Sequence, residues 1–468
     1  MIDTLRLTAE GAIALLEQGE VSAAELHAAC LDAIAERDGE LHCYLRTTAE
    51  ASGEGIPIAL KDVISTKGIE TTAGSKILSG YTPVFDATVA SRVKRAGLSL
   101  LGKTNTDEFA MGSSTENSAW GPTRNPWDPT RVPGGSGGGT AAAVSAGLAP
   151  WGLGSDTGGS IKQPSALCGN VGLRPTYGTV SRYGVVAFAS SLDQVGPVAK
   201  TVRDVALLYS IIAGRDPLDS TTAELPEEVR LPEGDSLAGV RLAVPKQVAD
   251  LDAIEPGVRA AFEQSLNRAR ELGAEVGECD LPLAYRYGMP CYYLVAPAEA
   301  SSNLARYDGV RYGLRTDATT YDDMVERTRD DGFGAEPKRR IMLGTYALSA
   351  GYYDAYYGPA QRVRTLLIRE HREALAGFDA IATPTSPTVA FPMGDKAADP
   401  LPMYACDLLT IPSCLAGLPG LSIPCGLSEG LPVGLQLIGP QFGENGLFRI
   451  GHALEQAIGF DTVPERLR

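Results

Sequence analysis

Short apolar runs that alternate with segments of helical periodicity predict an α/β fold for this chain of 468 residues. The runs at 56–63 (IPIALKDV) and 98–104 (LSLLGKT) have the length of strands, and 87–97 between them has the spacing of a helix. Such alternation favours a buried, mostly parallel or mixed sheet that is covered by helices.

The rest of the chain continues this pattern. Residues 8–37 read as two amphipathic helices, and the second opens with Ser22 and Glu25 at the spacing of a capping box. Residues 225–340 are less regular and are expected to form a smaller helical subdomain or an insertion. We expect further strands at 239–245, 379–385 and 431–439, and helices at 256–273, 345–376 and 444–458.

Composition excludes several classes of protein. With 44% hydrophobic and 21% charged residues, extensive disorder is not expected. The net charge of −16 disfavours direct binding to nucleic-acid phosphates, so we expect any nucleic acid to be bound by another subunit. No run approaches the roughly 20 apolar residues of a membrane span, and MIDTLRLTAE lacks the apolar core of a secretory signal. We therefore expect a cytoplasmic protein that does not bind membranes.

The eight cysteines contain no CxxC pair and lie mostly among apolar residues, as Cys168 does in ALCGN and Cys425 in SIPCG. This context favours reduced, buried thiols over a metal site. The sequence thus predicts no metal centre.

Residues 112–175 are crowded with Gly, Ser, Thr, Asn and Pro without being repetitive. A glycine-rich loop leads into a small-residue helix at 132–150, and a strand with a second glycine-rich loop follows at 151–169. Because glycine loses much backbone freedom on folding, an ordered region of this composition usually carries function. Its N–H groups could hold a phosphate or an oxyanion, although 134–140 (GGSGGGT) lacks the lysine of a P-loop.

A serine nucleophile in these loops would need a base, and histidine is a poor candidate for it. The four histidines lie in or next to predicted helices, not in loops of catalytic character, although residues distant in sequence can still meet in space. They are His27, His42, His371 and His452.

A neutral lysine can act as the base instead, provided that burial lowers its pKa from about 10.4. Lys61 lies in the apolar run 56–63, where a regular strand would point Asp62 to the opposite face. The residues alone leave open whether Lys61 is a buried base or a strand-end lysine that extends to water.

Three separated segments resemble the amidase signature family: Lys61 with its strand, 133–143 (PGGSGGGTAAA), and 154–176 (GSDTGGSIKQPSALCGNVGLRPT). The resemblance implies a single amidase domain over 1–468, with a large mixed sheet flanked by helices on both faces. It also implies a triad of Lys61, Ser136 after a cis peptide bond, and the nucleophile Ser160. The implied oxyanion hole consists of the backbone N–H groups of Thr157, Gly158, Gly159 and Ser160.

Two positions depart from the family's usual pattern. Gly137 stands where many members have a second serine, which puts auxiliary hydrogen bonds in doubt but leaves the implied triad intact. Lys162 replaces the usual arginine, so the charge is kept and the bidentate fork is lost.

Nearly the whole chain is similar to one branch of this family, the glutaminase subunits of tRNA-dependent amidotransferases. The similarity is carried by 101–128, 299–313, 338–357 and 401–426. Gly358-Pro359 interrupts a stretch that usually continues as helix, so a kink or break is expected there.

The resemblance implies that Arg340 and Asp407 hold the carboxylate and amino groups of L-glutamine, with Tyr292 as a third contact. A zwitterion needs one fixed cation and one fixed anion. By itself Arg340, beside Arg339 on a helix, reads as a solvated charge, whereas Asp407 in an apolar stretch needs a partner.

The implied function is that of a glutaminase that passes ammonia to a partner subunit, which amidates Glu-tRNA(Gln), or Asp-tRNA(Asn), with ATP. The expected partners are the B and C subunits of such an amidotransferase, with tRNA held mainly by the B subunit. No cofactor is expected in this chain, and ATP and Mg²⁺ are expected in the partner. The alternatives are a stand-alone amidase for another small amide and a non-catalytic scaffold.

Overall fold

The computed structural model describes residues 2–396 and 400–468, and a β-sheet forms its centre. The strands are β1 (Tyr44–Thr47), β2 (Pro57–Lys61), β3 (Ser99–Thr104), β4 (Trp151–Asp156), β5 (Val171–Arg174), β6 (Gln194–Ala199), β7 (Arg241–Pro245), β8 (Glu275–Cys279), β9 (Ala380–Pro384), β10 (Gly420–Ser428) and β11 (Leu431–Ile438). Among the described residues they form one sheet of 11 strands, ordered β1-β3-β2-β4-β6-β5-β10-β11-β9-β7-β8.

The sheet is mixed, as the sequence predicts. The pairs β2–β3, β2–β4, β7–β8 and β7–β9 are parallel, and β1–β3, β4–β6, β5–β6, β5–β10, β10–β11 and β9–β11 are antiparallel. Every residue of β2, β3, β4, β6, β9 and β11 is buried, because helices cover the sheet.

The helices follow the predicted pattern closely at both ends of the chain, and the Ser22–Glu25 capping box is present. They are α1 (Ala9–Glu17), α2 (Ala23–Leu41), α3 (Thr88–Arg95), α4 (Gly138–Ser145), α5 (Lys162–Cys168), α6 (Val202–Ile212), α7 (Lys246–Ala249), α8 (Pro256–Glu271), α9 (Pro282–Asn303), α10 (Tyr321–Gly332), α11 (Ala335–Leu348), α12 (Gly358–Leu375), α13 (Pro400–Tyr404), α14 (Ile411–Leu415) and α15 (Glu444–Ile458). In the described part of the chain, no helix combines the length and apolar character needed to cross a membrane.

Helices cover both faces of the sheet. Gly434 on β11 lies against Ala166 of α5, whereas Gly451 of α15 lies against Leu421 on β10. Leu421 pairs in register with Leu437, which is three positions from Gly434 on β11 and therefore points to the other face. Helices α5 and α15 thus lie on opposite faces.

Helix α5 occupies a stretch that the sequence predicts as a glycine-rich loop. Asp156 Oδ2 accepts hydrogen bonds from the N–H groups of Ile161 (3.0 Å) and Lys162 (3.4 Å), which would otherwise lack partners at the start of the helix. Pro164 lies in the first turn, where its missing N–H is not needed. A buried carboxylate five residues upstream therefore starts this helix.

Residues 225–340 contribute β7 and β8 to one edge of the same sheet, and α9 packs against α11 and α12. The boundaries of a separate unit here stay a prediction. The long helix predicted at 345–376 is interrupted: α11 ends at Leu348, and a π-helical turn at Tyr353–Tyr357 runs into α12. Pro359 lies in the first turn of α12, so the true break lies upstream of it, at 349–352.

Candidate active site

Lys61 is the last residue of β2, and its amine lies inside the protein with no exposed surface. Its Nζ donates hydrogen bonds to Ser136 Oγ (2.7 Å) and to the carbonyl oxygen of Ser155 (3.3 Å). Burial lowers the pKa of Lys61 to about 7, against the opposing charges of Asp107 and other nearby carboxylates. Lys61 does not extend to water, and a neutral amine at this position can accept a proton.

Asp62 faces away from Lys61, as regular strand geometry predicts. Its Oδ2 accepts hydrogen bonds from the N–H (2.9 Å) and Oγ1 (2.5 Å) of Thr72, and its Oδ1 lies 3.3 Å from the amine of Lys103. This carboxylate therefore pairs with a second buried lysine and does not neutralise Lys61.

Ser136 is fully buried, and a cis peptide bond joins it to Gly135. The N–H of Gly135 donates to Gln163 Oε1 (2.9 Å), and the N–H of Asp107 donates to the carbonyl oxygen of Ser136 (3.3 Å). Side-chain and backbone partners thus hold both sides of this peptide.

Ser160 lies in the loop between β4 and α5, and 7% of its surface is exposed. The N–H of Gly137 donates to the carbonyl oxygen of Ser160 (3.1 Å), which brings the two glycine-rich loops side by side. The hydrogen bonds of the described residues include none between the hydroxyls of Ser136 and Ser160. The structure therefore contains the Lys61–Ser136 contact of the predicted triad and places Ser160 on the adjoining loop.

The predicted oxyanion loop, Thr157 to Ser160, is held by the side chains of two residues outside it, Asp193 and Thr410. Thr157 Oγ1 donates to Asp193 Oδ1 (2.7 Å), and Thr410 Oγ1 donates to the carbonyl oxygen of Gly158 (2.6 Å). Gly159 has a φ of 144°, and a Cβ there would collide with Thr410, so only glycine fits. Contacts with residues outside the loop therefore fix the direction of its N–H groups before any ligand binds.

Tyr292 of α9 lies directly against the same loop. A Cβ on Gly158 would come within 2.9 Å of the Tyr292 hydroxyl oxygen, and the tyrosine is buried. Burial raises the pKa of Tyr292. The positive charge of Arg340 lowers this pKa, and the negative charge of Asp407 raises it further. The structure thus brings the three predicted substrate contacts into one neighbourhood beside Ser160.

Arg340 is buried on α11, so it is not a solvated surface charge. Its Nε donates to Glu336 Oε1 (2.7 Å). Burial disfavours the charged guanidinium, but the neighbouring tyrosine Tyr293 and Glu336 outweigh this effect and raise the pKa of Arg340. Three aromatic rings surround the guanidinium at 5.4–5.5 Å, those of Phe188, Tyr293 and Tyr404.

Asp407 is buried as well, and its Oδ2 accepts a hydrogen bond from Ser113 Oγ (2.5 Å). Burial raises the pKa of Asp407 to about 7, although the Ser113 hydroxyl and the Arg340 charge oppose this rise. A carboxylate that is poised in this way gains strongly from an incoming ammonium group. Arg340 and Asp407 thus place a buried cation and a buried acidic group around the same tyrosine, Tyr292.

The two departures from the family pattern both lie at the site. A Cβ on Gly137 would come within 2.5 Å of the Ser160 carbonyl oxygen, so a side chain requires that carbonyl to shift. Lys162 is buried, and its Nζ donates to Ser413 Oγ (2.9 Å) and to the carbonyl oxygen of Thr410 (3.2 Å). Its charge is held next to the oxyanion loop.

The histidines take no part in this arrangement. His27 Nδ1 contacts Ser99 Oγ (3.0 Å), and His371 Nδ1 contacts the carbonyl oxygen of Leu367 (2.8 Å). His42 contacts the carbonyl oxygen of Pro122, and His452 lies beside Glu455. All eight cysteines are buried and unpaired, and the described residues contain no group of three or more potential metal ligands of the His, Cys, Asp or Glu type.

Several residues that shape the site were not singled out from the sequence: Asp107, Glu108, Gln163, Glu336 and Thr410. One signal could have revealed Glu336, because it precedes Arg340 by four residues on a helix, the spacing of an ion pair. The others act across long sequence separations, and local patterns do not report such contacts.

The chain has clear relatives. Residues 23–448 match the model of the family described as Amidase. Proteins named as the A subunit of glutamyl-tRNA(Gln) amidotransferase are similar over nearly their whole length, with 52% identity in Salinispora arenicola (99% of this chain, 100% of the relative). The homologue from Roseiflexus castenholzii is 54% identical, with 99% of each chain covered.

Solved structures agree with these matches. The glutamyl-tRNA(Gln) amidotransferase A subunit of Thermotoga maritima superimposes with a TM-score of 0.84 at 47% identity, covering 97% of this chain and 96% of that one. A peptide amidase from Stenotrophomonas maltophilia gives 0.81 at 28% identity, covering 98% of each chain. The family match extends over most of the sequence, and the chain belongs to the amidase family.

Proposed function

We propose that this chain is the glutaminase subunit of a tRNA-dependent amidotransferase, in which it hydrolyses L-glutamine to glutamate and ammonia. The observation that carries the proposal is the pairing of two features in one site. A buried amine of lowered pKa contacts a serine hydroxyl, and a buried cation and anion lie beside the adjoining serine loop. Relatives with more than 50% identity bear the amidotransferase name.

In the proposed reaction Ser160 Oγ attacks the side-chain amide carbon of glutamine. The proton of Ser160 passes to Ser136 Oγ as Ser136 gives its own proton to neutral Lys61 Nζ. The N–H groups of Thr157 to Ser160 stabilise the tetrahedral oxyanion, where one such donor contributes roughly 3–4 kcal/mol. The relay then runs in reverse to protonate the leaving nitrogen, and ammonia departs.

Water completes the cycle by the same route. It attacks the glutamyl ester on Ser160, gives a proton through Ser136 to Lys61, and releases glutamate when Ser160 regains its proton. Lys61 thus begins and ends the cycle neutral, which fits an amine whose pKa burial lowers to about 7.

Substrate selection follows from the buried charges. In our proposal, the guanidinium of Arg340 holds the α-carboxylate, the carboxylate of Asp407 holds the α-ammonium, and Tyr292 contacts the bound molecule from α9. Both groups are buried before substrate arrives, and a zwitterion adds a counter-charge to each of them, so a ligand that lacks either charge forgoes one of these contacts.

The ammonia would pass to a partner, the B subunit, which holds tRNA, ATP and Mg²⁺ and converts Glu-tRNA(Gln) to Gln-tRNA(Gln). A small third component, the C subunit, would brace the pair. The net charge of −16 supports this division, because the chain itself is poorly suited to bind tRNA. We assign the assembly to the cytoplasm and expect no cofactor in this chain.

A stand-alone amidase is the second candidate, and the likeness to a peptide amidase supports that class. The buried pair Arg340 and Asp407 favours glutamine instead, since a neutral amide gives neither charge a partner. A non-catalytic scaffold has no evident use for a buried lysine with a lowered pKa against a serine hydroxyl.

The test is ammonia release from L-glutamine by the chain alone and by the complex with its partner subunits, ATP and Glu-tRNA(Gln). Ser160→Ala should abolish release, whereas Ser210→Ala, which removes an exposed hydroxyl on α6, should not. Hydrolysis of other amides that depends on Ser160, with no turnover of glutamine in any assembly, would instead establish a free-standing amidase.

A further inference from the structure

Two adjacent buried acidic residues, Asp107 and Glu108, reach toward different parts of the site. The carboxylate of Asp107 accepts hydrogen bonds from the N–H groups of Thr115 (2.9 Å) and Asn117 (3.1 Å), and its own N–H donates to the Ser136 carbonyl oxygen. Asp107 therefore belongs to the loops around the triad.

Glu108 points instead to the start of α11. Its Oε1 accepts from Ser75 Oγ (2.5 Å), and its Oε2 accepts from the N–H of Gly334 (2.9 Å). Gly334 is the residue before α11 and has no side chain to cap the helix. Glu108, 226 residues away in sequence, thus supplies the acceptor that this helix start requires. Burial raises the pKa of Glu108 to about 7, so its carboxylate adds a full negative charge to the helix start only above neutral pH.

The two residues after Glu108 strengthen its connection to the start of α11. Phe109 has a φ of 52° and Ala110 a φ of 60°, a left-handed conformation that bulky residues adopt only when their surroundings impose it. The ring of Phe109 packs against Phe333, which directly precedes Gly334, with centroids 5.5 Å apart. The aromatic contact of Phe109 and the hydrogen bond to Glu108 therefore join residues 108–109 to residues 333–334 at the start of α11.

Helix α11 carries Arg340, and the 107–108 segment holds Ser136. We propose that Glu108 is a positioning residue for the substrate carboxylate: by fixing the start of α11 to the segment that holds Ser136, it sets Arg340 at the correct distance from Ser160. This inference rests on the proposed glutaminase function and deepens it. Glu108 itself touches neither substrate nor the reacting atoms.

Two substitutions of Glu108 separate the effect of its charge from the effect of its hydrogen-bond acceptor. Glu108→Gln keeps an oxygen for Gly334 but loses the charge that the carboxylate carries above its pKa of about 7, so in assays above that pH we expect KM for L-glutamine to rise about threefold. Glu108→Ala leaves the N–H of Gly334 without its partner, and we expect a rise of about tenfold. In both variants kcat should stay within about twofold of the wild type, because the triad loops keep Asp107.

The experiment uses the complex with its partner subunits and measures kcat and KM for L-glutamine. A second reading is the rate at which phenylmethylsulfonyl fluoride, a neutral reagent that needs no Arg340, modifies Ser160. Glu326→Gln, an exposed residue on the neighbouring α10, is the matched control. We expect the rate of modification to be unchanged in the Glu108 variants and in the control.

An unchanged KM in Glu108→Ala overturns the inference while leaving the glutaminase function intact. A fall in kcat and in the modification rate by the same factor also overturns it, because it assigns Glu108 a general structural role. If the wild-type complex itself releases no ammonia from glutamine, the proposed function fails, and the inference fails with it.

Discussion

Glu336 lies one helical turn before Arg340 on α11, and its Oε1 accepts a hydrogen bond of 2.7 Å from Nε of Arg340. The hydroxyl of Tyr404 donates to the same oxygen at 2.9 Å. In the described part of the chain no hydrogen bond engages the Nη atoms of Arg340. The carboxylate thus holds the guanidinium through its Nε atom, and the two Nη groups take no part in that contact.

Replacing Glu336 by glutamine should therefore weaken glutamine binding more than turnover. The variant loses the charged acceptor that orients Arg340, and hydrogen bonds of this kind contribute about 1.5–3 kcal/mol. We expect KM for L-glutamine to rise at least about tenfold, with kcat reduced much less. Steady-state ammonia release measures both constants.

Glu263→Gln, an exposed substitution on α8, is the control for that variant and should behave as the wild type. An equal loss of kcat in Glu336→Gln with an unaltered KM would contradict the orienting role, because it would move the effect from substrate binding to the chemical step.

Local patterns in the sequence predict many residues of this site but not the tertiary contacts that hold those residues in place. The strand with Lys61, the glycine-rich loop that leads into α4 and the capping box at Ser22 are local signals, and the structure has them where the sequence predicts them. Local patterns do not predict helix α5, because its start depends on the buried carboxylate of Asp156, nor the role of Glu108, which acts across 226 residues. Contacts of this kind depend on tertiary packing, which periodicity and propensity do not describe.

The pKa of Lys61 predicts how kcat depends on pH. Burial lowers this pKa to about 7, and the proposed relay needs the neutral amine. The amine is protonated below that pH, so kcat should fall about tenfold per pH unit on the acid side and level off above neutrality. Measurement of kcat at saturating glutamine on both sides of neutrality checks this.

Lys61→Ala should lower kcat by a factor of roughly 100 to 10,000, as expected for loss of a general base. The exposed Lys67→Ala is the control and should leave the profile unchanged. A wild-type kcat that does not change across neutrality would argue against a neutral lysine as the proton acceptor.

Ionisation of Asp407 should change KM in the same pH range in which ionisation of Lys61 changes kcat. Burial raises its pKa to about 7, and only the deprotonated carboxylate attracts the ammonium of glutamine. As the pH falls through 7 the carboxyl becomes neutral, so KM should rise, by up to about tenfold per pH unit.

Asp407→Asn should raise KM at neutral pH and remove its rise in acid, while the acid decline of kcat that Lys61 causes remains. Asp235→Asn, at an exposed position, is the matched control. A decline of KM with falling pH, or a profile for Asp407→Asn identical to that of the wild type, would exclude this carboxylate as the ammonium partner.

The oxyanion loop gives the last prediction. Gly159 adopts a φ of 144°, and a Cβ there would collide with Thr410, whose hydroxyl donates to the carbonyl oxygen of Gly158. Gly159→Ala should therefore turn the N–H groups of the loop away from the oxyanion and lower kcat by a factor of about 100 to 1,000. Glutamine binding should weaken as well, because Thr410 also donates to the carbonyl oxygen of Asp407 (3.2 Å) and would pass its displacement to that residue. Gly446→Ala on α15, where a Cβ meets open space, should match the wild type, and a Gly159→Ala variant with full kcat would show that the loop donors do not stabilise the transition state.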